Sequence, residues 1–195
     1  MMNKKICMCL IMVLLSACSF NKFDIAYNRH LSKIEAFFSY ESYTKEICGQ
    51  LIETIDSKDS ARLEESMAES VINVDVTKIT AEEFVDYFDG KITSVEKIGH
   101  RISKTNGGLF GKKYNISLYE SFYVNTNSSK YILCYAYCLC DVEEEKEGIQ
   151  SLGVCLVEDY DNGGRLFTGI PGIYICTEEN KEDIQALAKE YGAVK

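Results

Sequence analysis

The sequence predicts an α+β protein in which N-terminal helices pack on a curved antiparallel sheet, with a further helix at the C-terminus. Two observations lead to this prediction. Apolar residues recur at helical spacing before Gly90 and alternate with polar residues after it. The chain then closes on a helical pattern over residues 181–191, whose apolar side holds Ile184, Leu187 and Ala188. No internal repeat is present, so we expect a single folded domain.

Three helices are expected before Gly90. The first covers residues 42–56, and its apolar stripe consists of Ile47, Cys48, Leu51, Ile52 and Ile55. The second covers residues 59–69 and begins at an aspartate, a favoured capping residue. The third begins at Thr80, which forms a capping-box pattern with Glu83, and it ends at Gly90.

The alternating part of the chain predicts strands over residues 92–103, 114–124, 130–141, 150–159 and 173–177. The strand over 130–141 is apolar on both faces, which is typical of a central strand covered on both sides. In the strand before it, Glu120 has the same parity as Leu118 and Phe122. Since side chains of equal parity share one face of a strand, Glu120 is expected on an apolar face. The alternative is that a bulge or the position of the strand places Glu120 in water or in an ion pair.

The N-terminus resembles the signal of bacterial lipoproteins. Lys4 and Lys5 precede an uncharged run that is too short to cross a bilayer core of about 30 Å. Leu15, Ser16, Ala17 and Cys18 then match a lipobox. We therefore predict a signal peptide over 1–17, an acylated cysteine (S-diacylglycerol, N-acyl) and tether over 18–40, and a domain over 41–195. The alternative is an ordinary secretory signal with a chance cysteine.

Charge and composition limit the kinds of partner that the exported chain is expected to bind. The precursor has 21 basic and 30 acidic residues, and loss of Lys4 and Lys5 would leave a net charge of −11. Nucleic-acid binding, which needs clustered basic residues, is therefore not expected. A hydrophobic fraction of 46% with a single proline favours a globular domain. Attachment to the extracytoplasmic face of the cell membrane, through the lipid on Cys18, is the expected location.

Six cysteines follow the lipobox, at positions Cys48, Cys134, Cys138, Cys140, Cys155 and Cys176. An even number in an exported chain is compatible with disulfides, whereas cysteines on apolar strands are also typical buried thiols. A metal site would need an unusual ligand set, because the chain contains two histidines and no Cys-x-x-Cys pair. We expect no metal and no cofactor, and the sequence leaves the choice between thiols and disulfides open.

Four stretches resemble a family of bacterial lipoproteins built on domain of unknown function 5104. They are residues 52–59 (IETIDSKD), 84–91 (FVDYFDGK), 148–152 (GIQSL) and 169–174 (GIPGIY). The resemblance implies an NTF2-like (cystatin-like) α+β fold, in which a curved sheet wraps around a helix and leaves a conical cavity. It supplies no catalytic residues to transfer to this chain.

Two classes of function follow from these features. The first is a non-catalytic surface domain that binds a small ligand or docks a protein, one version being an immunity-type protein that captures a secreted toxin. Tyrosines on the strands, at positions 119, 123, 135 and 137, suit such contacts, although rings at these positions also pack ordinary sheets.

The second class is a small isomerase or dehydratase. It needs a carboxylate in an apolar cavity, for which Glu120 is the candidate, and a hydrogen-bond donor, for which Tyr114 or a tyrosine on a neighbouring strand is the candidate. His100 is a weaker candidate for a base. Residues 159–164 (DYDNGG) open like a calcium loop but lack the bidentate glutamate at its twelfth position, so we interpret them as a turn.

Overall fold

The computed structural model describes residues 40–72, 74, 76–77, 79–106, 114–141 and 143–193. For residues 40–42, 104–106, 114 and 140 it describes the backbone alone. The predicted signal peptide, with Leu15, Ser16, Ala17 and Cys18, and the tether up to residue 39 lie outside the described residues. The whole sheet lies within the compact unit Lys45–Lys195.

The helices before the sheet are α1 (Tyr40–Asp56), α2 (Ser60–Ser66), α3 (Glu69–Ile72) and α4 (Ala81–Asp86). The helix predicted over residues 59–69 therefore ends early, at Ser66, and a separate short helix begins at Glu69. The break has a clear cause in β-pairing, because Met67 forms an isolated parallel bridge with Ile149 and the Ala68 N–H donates to the Ile149 carbonyl at 2.9 Å. A backbone group that pairs with a strand is not available to continue a helix.

Both predicted helix caps are present. The Asp59 carboxylate accepts a hydrogen bond from the Arg62 N–H at 3.0 Å and so caps α2. At α4, the Thr80 hydroxyl accepts from the Glu83 N–H at 3.1 Å, and the Glu83 carboxylate accepts from the Thr80 N–H at 2.8 Å. This reciprocal pair is the capping box that the sequence predicts.

Within the described residues the sheet contains β1 (Ile92–Asn106), β2 (Tyr114–Thr126), β3 (Lys130–Asp141), β4 (Gly148–Leu156) and β5 (Gly172–Ile175) in that spatial order. The first four strands are antiparallel neighbours, whereas β5 pairs in parallel with β4. The sheet is curved and does not close. The α+β class is thereby confirmed, and the architecture is consistent with an NTF2-like fold.

The connection between β4 and β5 differs from the prediction. The strand expected to reach residue 159 ends at Leu156, and a short helix α5 (Val157–Asp161) follows it. A turn comes next, as predicted, with Gly163 at φ +99° and the Gly164 N–H donating to the Asp159 carbonyl at 2.9 Å. After α5 the chain returns to the end of the sheet at which β4 begins. Because β5 starts from that end, it runs parallel to β4.

Two apolar clusters cover the sheet, one on each face. The inner face, which carries Leu118, Phe122 and Tyr135, packs against the first helices. The outer face, which carries Cys134 and Cys155, packs against Tyr174, Ile170 and α6 (Lys181–Glu190), through Ile184 and Ala188 of that helix. The predicted C-terminal helix is thus confirmed, and β3 is covered on both sides as predicted.

One close contact explains a glycine in the centre of the sheet. A Cβ atom at Gly153 would lie 2.2 Å from the Tyr174 ring, so only glycine leaves room for that ring on the outer face. The buried Tyr174 hydroxyl donates to the Phe167 carbonyl at 2.8 Å and accepts from the Phe167 N–H at 2.6 Å. In the described part of the chain, no helix has both the length and the apolar character that crossing a bilayer requires.

Candidate functional site

The predicted carboxylate lies on the inner face of the sheet. Glu120 stands in β2 between His100 of β1 and Tyr135 of β3, and its side chain has no solvent exposure. The parity argument from the sequence therefore placed this residue correctly. The sequence did not indicate which groups surround the carboxylate, because these come from strands that are distant in sequence.

Two side chains from β1 contact the Glu120 carboxylate. The Lys97 ammonium lies 2.8 Å from one carboxylate oxygen, and His100 Nδ1 contacts the other oxygen. Lys97 and His100 are three residues apart and would face opposite sides of a regular strand. A β-bulge at Ile98, between the pairs Lys97–Phe122 and Gly99–Ser121, restores the alternation so that both side chains reach Glu120.

Two further polar groups lie in this region of the inner face. The Tyr135 hydroxyl is buried and has no hydrogen-bond partner among the described residues. Burial raises the pKa of the Tyr135 phenol, with Cys48 and Glu120 adding to the effect, so this hydroxyl is a neutral donor. Burial, and then the charge of Glu120, raises the pKa of the Cys48 thiol on α1 to about 11.

The chemistry of this cluster differs from that of an isomerase site. A carboxylate base in such a site must be available to take a proton from the substrate. Here the Lys97 side chain, which is 42% exposed, and the His100 side chain, which is 28% exposed, already occupy the two oxygens of the buried Glu120. For Tyr114, the other candidate, only the backbone in β2 is described, so its side chain lies outside the described residues.

A separate cavity of about 390 Å³ opens between the early helices and the start of β4. This volume is within the usual range for sites that bind small molecules. Its apolar wall consists of Ile47 and Leu51 from α1, together with Met67 and Ile149. The other lining residues are Gln50, Thr54, Arg62, Glu65, Ser66, Tyr137, Glu147 and Gly148. Glu120 is not part of this lining, so the structure separates the predicted carboxylate from the cavity.

The shape of the cavity depends on two backbone irregularities. The bridge between Met67 and Ile149 breaks the helix and brings α2 against β4. Gly148, at φ +118°, permits this approach, since a Cβ atom there would lie 3.0 Å from the backbone of Ser66 and Ala68. A register shift beside Tyr137 then changes the strand pairing at the cavity wall. Sequence patterns give no sign of either feature.

Charged groups at the cavity are mostly acidic. Arg62 forms an ion pair with Glu53 at 3.0 Å, whereas Glu65 has no ion pair or hydrogen bond of its side chain among the described residues. Glu147 accepts a hydrogen bond from the Asp141 N–H at 3.3 Å. Burial and the charge of Glu147 raise the pKa of Tyr137, so its phenol is a neutral hydrogen-bonding group. The cavity thus offers carboxylates and a phenol beside an apolar wall.

Among the cysteines that the structure describes, Cys48, Cys134, Cys155 and Cys176 are thiols that form no disulfide. Burial raises the pKa of Cys134 to about 11 and also raises the pKa values of Cys155 and Cys176. Neutral, buried thiols are poor nucleophiles and poor metal ligands. Among the described residues, no group of three His, Cys, Asp or Glu side chains is arranged to hold a metal ion.

Comparison with known families identifies the domain. A family model described as a domain of unknown function (DUF5104) matches residues 50–158, more than half of the chain. The chain belongs to the DUF5104 family. No curated protein and no solved structure matches the chain.

The matched region of this DUF5104 protein contains the end of α1, the caps of α2 and α4, and strands β1 to β4. Three of the four stretches that carry the resemblance therefore lie within it. The first stretch has a specific structural role: Lys58, at φ +57°, donates hydrogen bonds to the carbonyls of Val85 and Phe88 at the end of α4. Asp56 accepts from the Ile92 N–H at 2.8 Å and so joins α1 to the start of the sheet.

Proposed function

We propose that this DUF5104 protein is an exported lipoprotein, held on the extracytoplasmic face of the cell membrane by the acylated Cys18, whose domain binds a ligand without catalysis. The observation that carries the binding proposal is the cavity of about 390 Å³ with its mixed lining. An apolar wall with a few converging polar groups is the usual composition of a ligand site.

The lining favours a ligand with an apolar body and a cationic or hydrogen-donating group. Glu65 has no competing partner among the described residues, and Glu147 adds a second carboxylate. The Tyr137 phenol supplies a neutral polar contact beside Glu147. Ile47, Leu51 and Ile149 provide the surface on which an apolar body would be buried.

Native mass spectrometry of the full-length protein, purified from its own cells in a mild detergent, tests this proposal. We expect a bound molecule of defined mass that dissociates on activation. Glu65→Gln should reduce its occupancy, whereas Glu179→Gln, a change at an exposed glutamate outside the cavity, should not. Unliganded protein, or equal occupancy in both variants, contradicts the cavity proposal.

The alternative is docking of a protein, such as a secreted toxin captured at the envelope. A pull-down of the lipidated protein from the same cells separates the two proposals. Unliganded protein that retains one stoichiometric partner supports docking, and it would move the binding site away from the cavity.

Catalysis by an isomerase or dehydratase has weaker support. In its favour, Glu120 is buried near the unpartnered Tyr135 hydroxyl. Against it, Lys97 and His100 already contact both oxygens of the carboxylate. If the bound molecule is converted by the protein, and if Glu120→Gln abolishes the conversion, catalysis would replace binding as the function.

The membrane anchor has its own test. Cells that express the wild type or Cys18→Ser are fed an alkyne analogue of palmitate, and the protein is then examined for label. We expect label and membrane association in the wild type and neither in the variant, because the thiol of Cys18 is the acylated group. Equal labelling of the two proteins would contradict lipidation at Cys18.

A further inference from the structure

The outer face of the sheet carries a row of side chains that the proposed function does not use. Strand register places Arg101 beside Tyr119, Tyr119 beside Ala136, and Ala136 beside Ser151, on four successive strands. Large side chains thus stand at the β1 end of the row and small ones follow. The small residues Ala136 and Ser151 leave a depression in the sheet surface.

This depression is the floor of a groove of about 590 Å³. Arg101 and Tyr119 line one side, and Tyr191, at the end of α6, lines the other with 44% of its surface exposed. A register shift between β3 and β4 leaves Gln150 as an extra residue, which also lines the groove. The remaining lining residues are Val71, Thr168, Gly169, Pro171, Gly192 and Ala193.

The charge of the groove is opposite to that of the protein. The chain has 30 acidic residues and a net charge of −9, but the residues that line the groove include no aspartate or glutamate. Arg101 is their one charged residue. Its guanidinium lies over the Tyr119 ring, 4.4 Å from the centroid, and forms no ion pair or hydrogen bond among the described residues.

A guanidinium in this position is suited to binding an anion. Stacking on Tyr119 orients its plane and leaves the N–H groups at its edge available for a bidentate contact. Thr168, Ser151 and Gln150 line the same groove. The Ser151 hydroxyl donates to the Phe167 carbonyl at 3.4 Å and the Gln150 amide donates to the Lys146 carbonyl at 3.1 Å, so Arg101 is the principal polar group for a ligand. The ring of Tyr191 and the side chains of Val71 and Pro171 supply apolar surface.

We propose that this outer groove binds an organic carboxylate. The carboxylate pairs with Arg101, and the apolar body of the ligand lies over Ala136 against Tyr191. This site is distinct from the inner cavity and does not depend on it. A free organic acid and the C-terminal carboxylate of a peptide share this chemistry.

Ligand-observed ¹⁹F NMR tests the proposal with 4-fluorophenylacetate as the probe. The full-length lipidated protein is held in phosphatidylcholine nanodiscs, and empty nanodiscs give the blank. We expect line broadening that saturates with the acid, and at least about tenfold weaker binding of the neutral 4-fluorophenylacetamide, since a charge-assisted bidentate contact is lost. No saturable broadening up to about 10 mM acid, the weak end of measurable affinity, overturns the proposal.

Lys130→Gln is the matched control for Arg101→Gln. Lys130 also stacks on a tyrosine of β2, 4.0 Å from the Tyr123 centroid, but it does not line the groove. Arg101→Gln should weaken binding of the acid about tenfold, and Lys130→Gln by less than about twofold. Arg101→Lys should weaken binding of the acid by an intermediate factor, because lysine keeps the positive charge but lacks the planar guanidinium that makes a bidentate contact. Equal effects of Arg101→Gln and Lys130→Gln would show general electrostatic attraction and overturn the site.

Competition with the peptide Gly-Gly-Phe identifies the source of the carboxylate. Displacement of the probe by the free peptide, but not by its C-terminal amide, indicates that the groove accepts the end of a chain. If the probe remains bound in the presence of either peptide, a small organic acid is the ligand. Displacement by the amide as readily as by the free peptide would contradict recognition of a carboxylate.

Discussion

At the scale of single residues, Glu120 is the most informative position. The alternation of β2 predicts that it lies on an apolar face, and the structure buries it completely. Its two partners come from β1, about twenty positions earlier, and reach it because of the bulge at Ile98. A bulge shifts the parity of a strand by one, and the amino-acid pattern of residues 92–103 does not reveal where that shift occurs.

We expect Glu120→Gln to lower the free energy of unfolding by about 1–3 kcal/mol, because it removes a charge-assisted contact from a buried site. The partial exposure of Lys97 and His100 keeps the loss below that of a fully buried ion pair. Urea unfolding of the purified protein at neutral pH measures the change. Glu96→Gln, at an exposed glutamate of the neighbouring strand β1, is the control. An equal effect of the two substitutions would contradict a stabilising role for the contacts of Glu120 with Lys97 and His100.

At the scale of secondary-structure elements, local signals predicted what local interactions control. The caps at Asp59 and Thr80 involve residues three positions apart, and both are present. Errors arose where a distant partner decided the outcome. The second helix ends at Ser66, because Met67 forms a bridge with Ile149, and β4 ends at Leu156, which pairs with Tyr131 at the start of β3. Backbone pairing across the fold overrides helix propensity at such points.

Lys58 also makes a contact with a part of the chain that is distant in sequence, and this contact stabilises the end of α4. Its ammonium donates to two carbonyl groups at the end of α4, where helical carbonyls have no partner within the helix. Lys58→Met keeps most of the aliphatic stem but leaves these carbonyls unpaired, so we expect a loss of about 1–3 kcal/mol in unfolding free energy. Thermal and urea unfolding measure this loss, with Lys91→Met, at an exposed lysine, as the control. Equal stability of the two variants would show that the Lys58 contacts add nothing.

At the scale of the whole molecule, buried thiols make stability depend on pH in the alkaline range. In the folded protein the pKa of Cys48 and of Cys134 is about 11, against an ordinary value of 9.0. Above pH 9 the unfolded chain releases these protons while the folded chain still holds them. The contribution of these two neutral thiols to the free energy of unfolding is therefore complete below pH 9, and it is lost as the pH rises towards 11.

For the fully buried Cys134, this loss amounts to about 2 kcal/mol by pH 11. Urea midpoints measured under reducing conditions at pH 8, 9, 10 and 11 should fall progressively. Cys134→Ala should be less stable at pH 8, because the thiol packs in the outer cluster, but it should lose less stability between pH 9 and 11. Parallel curves for the wild type and the variant would contradict burial of an ionisable thiol at this position.

The sequence by itself determined the α+β class, the positions of most helices and strands, the two caps, and the face on which Glu120 lies. These properties follow from periodicity and from contacts between residues close in the chain, which a linear pattern records. Only the tertiary structure decided that Lys97 and His100 meet Glu120, that the cavity lies beside Gly148, and that Arg101 and Tyr119 border a groove ending at Tyr191. Each depends on strand register, and a bulge of one residue redirects side chains without leaving a signal in composition or spacing.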